Sequence, residues 1–517
     1  MQAPSRPHRP CGQVYLVGAG PGDPRLMTLR AAECLARADV VLCDCSVDPR
    51  AVDMATPSAE VIWLGARPGG PHHQRWPLHQ IVARLVDASR AERTAVHLKD
   101  GDTELFSHGF EELQALHTAG VPVEVVPGVT AATAAAALAE IPITHAELSS
   151  AVALVTARQQ RDERVAPLDF RRLARFPGTL VVYMPAHKPE SWSHRMIEGG
   201  RSADTPVALV ADAARPRQRV VRCTLADVAT FIAGEDLGSR VVAIIGPVVD
   251  LAPEIGWYEA RPMFGQRVLL TRPRDQSADL SARFNELGAE VAIQPAIEIG
   301  PPPDWQRVDE AIGCLDRYDW VVFSSVNGVD YLIRRIRLLG NDIRQLAPVK
   351  LAAIGPATAE RLRQYHLDVE LTPPEFRAES LAEALSWEAA GKRFLLARAS
   401  RGREILAERL REAGAKVDQI VVYTSRNVQQ PEPGVAEILH AGGFDWVTVT
   451  SSAIARALHA MFGSALESSR LASISPITSQ TLRELGHEPA VEAGEFTTQG
   501  LIEAILGARV RCKHLKH

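Results

Sequence analysis

Short apolar runs that end in glycine-rich turns alternate with amphipathic stretches at the start of the chain. The apolar run at residues 14–17 is followed by a glycine-rich turn at residues 18–23. Apolar residues then recur at helical spacing, at Leu26, Leu29, Ala32 and Ala36. The pattern predicts a strand, a turn and a helix. Glycines let such a turn approach a ligand, but a tight turn without any ligand explains them equally well.

The same succession of elements is predicted twice more in this part of the chain. A strand run at residues 94–97 precedes a polar turn at 99–103, and a strand run at residues 123–126 precedes a turn at 127–130. A further strand ends on Asp44, which is a candidate general base or the cap of the next turn. Because ligands bind at the carboxyl edge of an open α/β sheet, we expect these turns to share one pocket.

From residue 149 the pattern of strands begins again. Apolar runs occupy residues 152–156, 178–184, 205–210 and 241–249. They predict a second lobe of similar size, with the two lobes at about residues 13–130 and 131–250. Residues 251–264 break the periodicity and contain two prolines, which indicates a linker between domains.

The second half of the chain, from residue 265, contains an internal duplication. Residues 267–272 reappear at 393–398, and residues 319–321 reappear at 445–447, so equivalent positions are 126 residues apart. Because separate segments repeat at the same offset of 126 residues, the sequence predicts two similar parallel α/β lobes.

Both copies carry a hydroxyl- or amide-rich turn directly after a tryptophan-bearing strand. Such turns are helix N-caps in most proteins, but helix N-terminal amides and hydroxyls also bind carboxylates. The candidate substrate-binding residues of these turns, and of a later turn in the second copy, are Ser324, Ser325, Asn327, Thr450, Ser451 and Thr478.

Composition narrows the class of protein without identifying it. A length of 517 residues predicts three or four compact units, and a net charge of -5 gives no reason to expect nucleic acid as a partner. Seven cysteines, an odd number, indicate a reducing, cytoplasmic compartment. No apolar run is long enough for a membrane span, and no paired His/Cys cluster predicts a metal site. Residues 1–12 are expected to form a disordered leader and residues 507–517 a solvated basic tail.

Residues 13–250 resemble the tetrapyrrole methyltransferase family, most closely its uroporphyrinogen-III C-methyltransferases. The segments that carry the resemblance are residues 17–24, 38–41, 99–102, 126–131, 141–145, 182–184, 205–210 and 215–221. The resemblance implies two α/β lobes with S-adenosyl-L-methionine between them, Asp44 as the catalytic acid, and a homodimer formed through this domain. It places the cofactor contacts on Pro21, Asp100, Gly101, Asp102, Leu105, Thr130, Ala131, Met184 and Ala213.

Three of the positions that depart from the pattern of this family bear on its activity. Cys45 and Ala66 stand where the family has basic residues, and Thr103 stands where it has proline. A basic group that faces a substrate carboxylate contributes roughly 1 to 3 kcal/mol, and Arg67 could substitute for the missing groups. The alternatives are a domain that methylates and a methyltransferase-like scaffold that does not.

Residues 265–506 resemble the uroporphyrinogen-III synthase family. The segments that carry this resemblance are residues 269–273, 319–329, 353–359, 421–423, 450–451 and 498–501. The resemblance implies a two-lobed cyclase without a cofactor, in which the chain crosses between the lobes twice and linear hydroxymethylbilane closes to uroporphyrinogen III. Tyr423 matches the cleft tyrosine of the family, and its phenol could assist departure of the hydroxyl. A tyrosine that merely ends a strand is an equally good explanation.

The product of the second half would be the substrate of the first. The leading hypothesis is therefore a bifunctional enzyme that cyclises hydroxymethylbilane and then methylates uroporphyrinogen III twice to precorrin-2, towards sirohaem or cobalamin. Its partners would be linear and cyclic tetrapyrroles. A synthase with an inactive methyltransferase-like domain is the second hypothesis, and a tetrapyrrole-binding regulator without turnover is the third.

Overall fold

The computed structural model describes residues 12–65, 76–158, 168–235, 237–254, 256–402, 404–432 and 434–514. These residues form four five-stranded sheets, two in each half of the chain, with helices packed against them. Ala66 and Arg67 lie outside the described residues. Within the described ranges, no helix combines the length and the apolar character that a membrane span requires.

The first sheet consists of the strands β1 (Val14–Gly18), β2 (Val40–Cys43), β3 (Glu60–Trp63), β4 (Ala95–Lys99) and β5 (Val123–Val126). They are parallel throughout, in the order β3-β2-β4-β1-β5. The helices of this lobe are α1 (Leu29–Leu35), α2 (Pro49–Val52), α3 (Leu78–Arg90) and α4 (Gly109–Thr118). Because the strands are parallel, the predicted turns after β1, β2, β4 and β5 all lie at one edge of the sheet.

The helix predicted from the spacing of Leu26, Leu29, Ala32 and Ala36 is wrong in its register. Leu29 is 87% exposed, whereas the buried side of α1 consists of Ala31, Cys34 and Leu35. The chain first makes a short 3-10 turn, leaves it in an extended conformation, and starts a new helix that Thr28 caps. Residues before and after this break do not share one helical register, so spacing across it does not predict a common face.

The second sheet consists of β6 (Val152–Thr156), β7 (Thr179–Tyr183), β8 (Pro206–Ala211), β9 (Arg219–Thr224) and β10 (Val241–Ile245). Their order is β6-β7-β10-β8-β9, and β10 runs antiparallel to both of its neighbours. The helices are α5 (Ala131–Leu138), α6 (Phe170–Leu173), α7 (Pro189–Glu198) and α8 (Val228–Gly234). The apolar pattern missed β9 because this edge strand is half exposed and Arg219 and Arg222 interrupt its apolar residues.

The segment predicted as a linker, residues 251–264, is packed against both halves of the chain. Tyr258 is buried beside Ala134 of the first half, and Met263 is buried in the core of the second half. The Arg261 guanidinium lies 3.7 Å from the centre of the Tyr258 ring. The segment therefore connects the two halves through packing contacts with each of them.

The second half contains the strands β11 (Arg267–Leu270), β12 (Glu290–Ile293), β13 (Ile297–Gly300), β14 (Trp320–Phe323), β15 (Lys350–Ala353), β16 (Arg393–Ala399), β17 (Lys416–Asn427), β18 (Trp446–Val449), β19 (Arg470–Ser473) and β20 (Val491–Glu492). One sheet has the order β12-β11-β18-β19-β20 and is parallel. The other has the order β13-β17-β16-β14-β15 and is parallel except for β13. The helices are α9 (Ala278–Glu286), α10 (Gln306–Ile312), α11 (Val326–Leu338), α12 (Pro356–Gln364), α13 (Ala378–Ser386), α14 (Ile405–Glu412), α15 (Val435–His440), α16 (Ser452–Phe462), α17 (Pro476–Glu484) and α18 (Thr498–His514).

Each lobe of the second half takes its strands from both copies of the duplication. The chain leaves the first of these lobes after β12, builds the other from β13 to β17, and returns with β18. In the repeat, β11 and β12 correspond to β16 and β17, and β14 and β15 correspond to β18 and β19. The two crossings that the family resemblance implied are confirmed, and one sequence repeat does not equal one lobe.

The region predicted as a basic tail begins inside a helix. α18 runs to His514, so residues 507–514 continue an element whose Leu501, Ile502 and Ile505 are buried in the core. A helix that is already anchored by apolar residues extends readily through alanine, valine and arginine.

Candidate functional site

A cleft of about 960 Å³ opens at the carboxyl edge of the first sheet. Its lining comes from the turns after β1, β2, β4 and β5, from the ends of β7 and β8, and from the start of β10. Asp44 lines the cleft together with all nine residues predicted to contact the cofactor, which are Pro21, Asp100, Gly101, Asp102, Leu105, Thr130, Ala131, Met184 and Ala213. The structure therefore brings the predicted residues together in one cleft, whose volume is typical of small-molecule sites.

Glycines hold these turns against one another. A Cβ on Gly128 would lie 2.2 Å from the Gly101 carbonyl oxygen and 2.8 Å from the Gly18 Cα. Gly20 and Gly101 exchange backbone hydrogen bonds of 3.0 and 2.9 Å. Close packing of the backbone therefore explains Gly18 and Gly128, whereas Gly101 has a φ of 70° and lines the cleft.

We expect Gly128→Ala to destabilise the protein by roughly 1 to 3 kcal/mol, because the added methyl group has no space between the two turns. Gly234→Ala in α8 is a matched control, since nothing lies within 4 Å of the methyl group added there. Thermal unfolding followed by circular dichroism measures both variants. Equal melting temperatures for the two would contradict this account of the turns.

The Asp102 carboxylate accepts hydrogen bonds from the backbone of two turns. It accepts hydrogen bonds from the amides of Glu104 at 2.9 Å, Leu105 at 3.2 Å and Gly128 at 3.0 Å. A carboxylate with these partners shapes the wall of the cleft rather than offering a free charge to a ligand. Its direct contact with a cofactor stays a prediction.

Asp44 lines the cleft immediately after β2. Its Oδ2 accepts a hydrogen bond from the Asp100 amide at 3.4 Å, and its Oδ1 lies 3.5 Å from His97 Nε2. Burial acts to raise the pKa of Asp44, but His97 and the charge of Lys99 outweigh burial and lower the pKa to about 2. Asp44 is therefore ionised at neutral pH, which suits acceptance of a proton rather than its donation.

The pKa of Asp100 is shifted in the opposite direction to that of Asp44. Burial raises the pKa of Asp100 to about 6, and the charge of Asp44 adds to this effect, while Arg215 and Ser46 act against it. Two neighbouring carboxylates thus have well-separated pKa values. Such a separation is typical of sites in which carboxylates take different roles in acid–base chemistry.

Strained backbone marks the same cleft independently of charge. A positive φ is unfavourable for residues other than glycine, and such residues cluster at functional sites. Four of them line the cleft, namely Phe106 (φ 59°), His108 (φ 58°), Met184 (φ 51°) and Asp212 (φ 47°). Sequence analysis could not identify them as a group, because the packing of separate turns imposes their conformation.

Tyr183 is part of the cleft wall, although the sequence pattern indicates only a core residue. Its hydroxyl hydrogen-bonds the Thr130 hydroxyl and accepts the Ala132 amide at 3.2 Å. Its ring centre lies 4.9 Å from that of Phe106. Tyr183 therefore joins the start of α5 to the second sheet beside Met184, and its position at the end of β7 was the signal in the sequence.

Two of the three departures from the family pattern fall within the described residues. Cys45 is half-buried, and Thr103 is buried with a hydroxyl that has no hydrogen-bond partner in the described ranges. Nothing in the structure explains the threonine at position 103. Across the part of the chain that the structure describes, no three His, Cys, Asp or Glu side chains are grouped so that they could hold a metal ion.

The candidate residues of the second half lie at helix N-termini. Ser325 caps α11 and Ser451 caps α16, because their hydroxyls accept the amides of Gly328 at 3.0 Å and Ile454 at 3.2 Å. Thr478 is buried in the first turn of α17. The structure thus supports the N-cap interpretation for Ser325 and Ser451, and substrate binding by these turns stays a prediction.

Tyr423 lies where the two lobes of the second half meet. Its hydroxyl is 2.9 Å from Ser325 Oγ, and its ring centre is 5.8 Å from that of Tyr331. Burial raises the pKa of the Tyr423 phenol despite hydrogen bonds with Ser325 and Asn327. Asn327 Oδ1 in turn accepts a 2.8 Å hydrogen bond from Gln276 of the other lobe. The phenol is therefore a neutral hydrogen-bond donor at physiological pH.

Arg272 is a cation beside this region that the sequence analysis did not assign to a site. It follows β11, its Nε donates to Thr450 Oγ1 at 3.1 Å, and burial lowers the pKa of its guanidinium. In the described chain no carboxylate forms an ion pair with it. A partly buried guanidinium without an anionic partner is suited to bind an anion from a ligand. Its signal in the sequence was an arginine at the carboxyl end of an apolar strand.

The two halves match different family models. Residues 13–229 match the tetrapyrrole (corrin/porphyrin) methylases, and residues 278–503 match uroporphyrinogen-III synthase HemD. The chain thus joins two tetrapyrrole enzyme domains. It belongs to the tetrapyrrole methylase family in its first half and to the HemD uroporphyrinogen-III synthase family in its second half, as both motif resemblances predicted.

Relatives of similar organisation extend over most of the chain. The porphyrin biosynthesis protein HemD of Ruminiclostridium josui is 30% identical over 85% of this chain and 87% of its own length. A uroporphyrinogen-III C-methyltransferase of Bacillus subtilis is 30% identical over 70% of this chain and 74% of its own length. Among solved structures, a uroporphyrin-III C-methyl transferase from Thermus thermophilus, complexed with S-adenyl homocysteine, is 36% identical over 46% of this chain and 94% of its own, with a TM-score of 0.39.

Proposed function

We propose that the second half cyclises hydroxymethylbilane to uroporphyrinogen III and that the first half methylates this product twice with S-adenosyl-L-methionine. The final product would be precorrin-2, on the branch towards sirohaem or cobalamin. The observation that carries the proposal is the single cleft in which Asp44 and all nine predicted cofactor residues meet. The relatives named as HemD and as a C-methyltransferase support the same pair of reactions.

The lining of the cleft fits S-adenosyl-L-methionine. Leu105, Met184 and Ala213 offer apolar surface for an adenosyl group, and the carboxylates of Asp44 and Asp100 suit a positively charged sulfur. When bound, the cofactor supplies an electrophilic methyl group. Transfer of this group to a ring carbon gives the macrocycle a positive charge, which the macrocycle loses by releasing a proton from another position. The ionised Asp44 accepts that proton.

The second half uses its own side chains for cyclisation. The hydroxyl of the linear substrate leaves with the electron pair of its C–O bond and takes the Tyr423 proton, so that water is released. A pyrrole carbon at the other end of the chain then forms a C–C bond to the electron-deficient carbon left behind. The proton released as that pyrrole becomes aromatic again restores the phenol. Arg272 and the hydroxyl-rich turns bind carboxylates of the substrate, which keeps the two ends of the linear chain close together.

Anaerobic incubation with hydroxymethylbilane, with and without S-adenosyl-L-methionine, tests both reactions through product mass and absorbance. We expect uroporphyrinogen III without the cofactor and its dimethylated derivative with it. Uroporphyrinogen III that stays unmethylated, with no cofactor binding by calorimetry, would leave a synthase with an inactive first half. Binding of tetrapyrroles without any turnover would leave the regulator instead.

Arg272→Gln is expected to lower kcat/KM for cyclisation by roughly 10- to 100-fold, mainly through a higher KM, because a charge-assisted contact to a substrate carboxylate contributes roughly 1.5 to 3 kcal/mol. Initial rates with hydroxymethylbilane measure the effect. Arg274→Gln is the control, since Arg274 is exposed and already paired with Glu432 at 2.9 Å. A similar loss in both variants would show that general charge, not a specific contact, matters.

A further inference from the structure

A group of buried charged residues lies directly behind Asp44, and the sequence analysis did not identify it. We call His97, Lys99 and Glu112 the buried charge cluster. Their exposures are 0%, 2% and 2%. His97 and Lys99 are two positions apart on β4 and therefore point to the same face of the sheet, towards Glu112 on α4.

The hydrogen bonds of the buried charge cluster run from Lys99 through Glu112 to His97, whose ring lies next to the cleft. Lys99 Nζ donates to Glu112 Oε1 at 2.6 Å, and Glu112 Oε2 lies 2.7 Å from His97 Nδ1. The other ring nitrogen, His97 Nε2, lies 3.5 Å from Asp44 Oδ1. This nitrogen is buried and has no hydrogen-bond partner in the described ranges, so Asp44 is an ion-pair neighbour and not a hydrogen-bond partner. The imidazole is thus held by one carboxylate and turned towards another.

Fold stability alone does not account for this arrangement. Burying charged side chains is costly, and apolar residues in place of a buried ion pair often leave stability unchanged or improve it. The cluster therefore needs another explanation, and its free end faces the carboxylate predicted to be catalytic. Glu112 and Asp44 together favour the protonated imidazole, and they raise the pKa of His97 although burial and Lys99 oppose them.

We propose that His97 is a positioning residue for Asp44: clamped by Glu112, it keeps a protonated Nε2 against Asp44 Oδ1, and so holds this carboxylate ionised and oriented towards the substrate during methylation. The inference rests on the proposed methyltransferase function. His97 does not touch the cleft itself, so it acts through Asp44.

The other charged groups around the pair define the expected pH dependence. Asp44 faces His97 and Lys99 of β4 and Asp100 of the following turn, and Glu112 of α4 faces His97. Arg215 and Arg240 of the second lobe act on Asp100. Without His97, the charge of Lys99 still favours the ionised form of Asp44. Burial then raises the pKa of Asp44, so the ionised base is lost at a higher pH than in the natural protein.

The test compares His97→Gln with the natural chain and with His117→Gln, an exposed histidine of α4. In His97→Gln, we expect the acid limb of the kcat profile for methylation to move up by about 1 to 3 pH units. The KM for S-adenosyl-L-methionine and the cyclisation rate of the second half should stay within about twofold, which controls for folding. A kcat profile of His97→Gln that coincides with that of the natural chain overturns the inference.

A second measurement does not depend on methylation. In the natural chain labelled with ¹⁵N-histidine, we expect one histidine to keep both ring nitrogens protonated to a higher pH than the exposed histidines, and we expect its signals to vanish in His97→Gln. A His97 that loses its proton together with the exposed histidines would contradict the proposal. If the natural chain does not methylate at all, the proposed function fails, and the NMR result still shows whether His97 carries the proton.

Discussion

Asp44→Asn is expected to lower the rate of methylation by roughly 100- to 10,000-fold, the usual range for removal of a general base. Asparagine has nearly the same shape but cannot accept the proton that the macrocycle loses. The KM for S-adenosyl-L-methionine should change by less than about threefold, because the remaining lining of the cleft is unaltered. Single-turnover methylation of uroporphyrinogen III at saturating cofactor measures the loss.

The control for Asp44→Asn is Asp53→Asn, at the end of α2 and outside the residues that line the cleft. It should leave methylation unchanged, and both variants should keep the cyclisation rate of the second half. A decrease of less than tenfold for Asp44→Asn would mean that another group takes the proton, and Asp100, whose pKa lies at about 6, would be the next residue to replace.

The pH dependence of the natural chain follows from the same carboxylate. His97 and Lys99 lower the pKa of Asp44 to about 2, so its ionised form is present above that value and is lost only as pH falls through it. Methylation should therefore not decline through protonation of Asp44 anywhere in the physiological range. A decline that begins near pH 6 would instead point to Asp100, which gains its proton there.

Local patterns predicted the first cleft because its parts repeat along the chain. Each glycine-rich turn follows an apolar strand, and parallel strands necessarily bring such turns to one edge. The buried charge cluster was beyond this reasoning. The sequence around Glu112 predicts a surface position on a helix, next to Leu113. Its partners His97 and Lys99 belong to another element, so local spacing does not indicate that Glu112 is buried. Only the packing of α4 against β4 turns Glu112 inwards.

The same distinction applies to the second half. The duplication predicted two parallel lobes, but spacing alone gives no sign that β13 to β17 form one lobe while β11, β12 and β18 form the other. Arg272 and Thr450 are 178 residues apart, and the contact between them exists only because the chain returns to the first of these lobes. A repeat in sequence predicts similar elements, and the crossings decide which of them become neighbours.

Tyr423→Phe is expected to lower kcat for cyclisation by roughly 100-fold with little change in KM, because the variant keeps the aromatic ring and loses only the proton donor. Burial raises the pKa of the Tyr423 phenol, so it stays protonated through the neutral and mildly alkaline range, and the rate should not fall there through its ionisation. The measurement is the initial rate of uroporphyrinogen III formation under anaerobic conditions.

Tyr331→Phe provides a matched control, because Tyr331 stacks on Tyr423 with ring centres 5.8 Å apart and the variant preserves this stack. We expect less than a threefold change in kcat. Equal rates for Tyr423→Phe and Tyr331→Phe would show that the Tyr423 hydroxyl serves the 2.9 Å contact with Ser325 and not the reaction. A loss confined to Tyr423→Phe would instead assign the departing hydroxyl to this phenol, because the two variants remove the same atom from neighbouring rings.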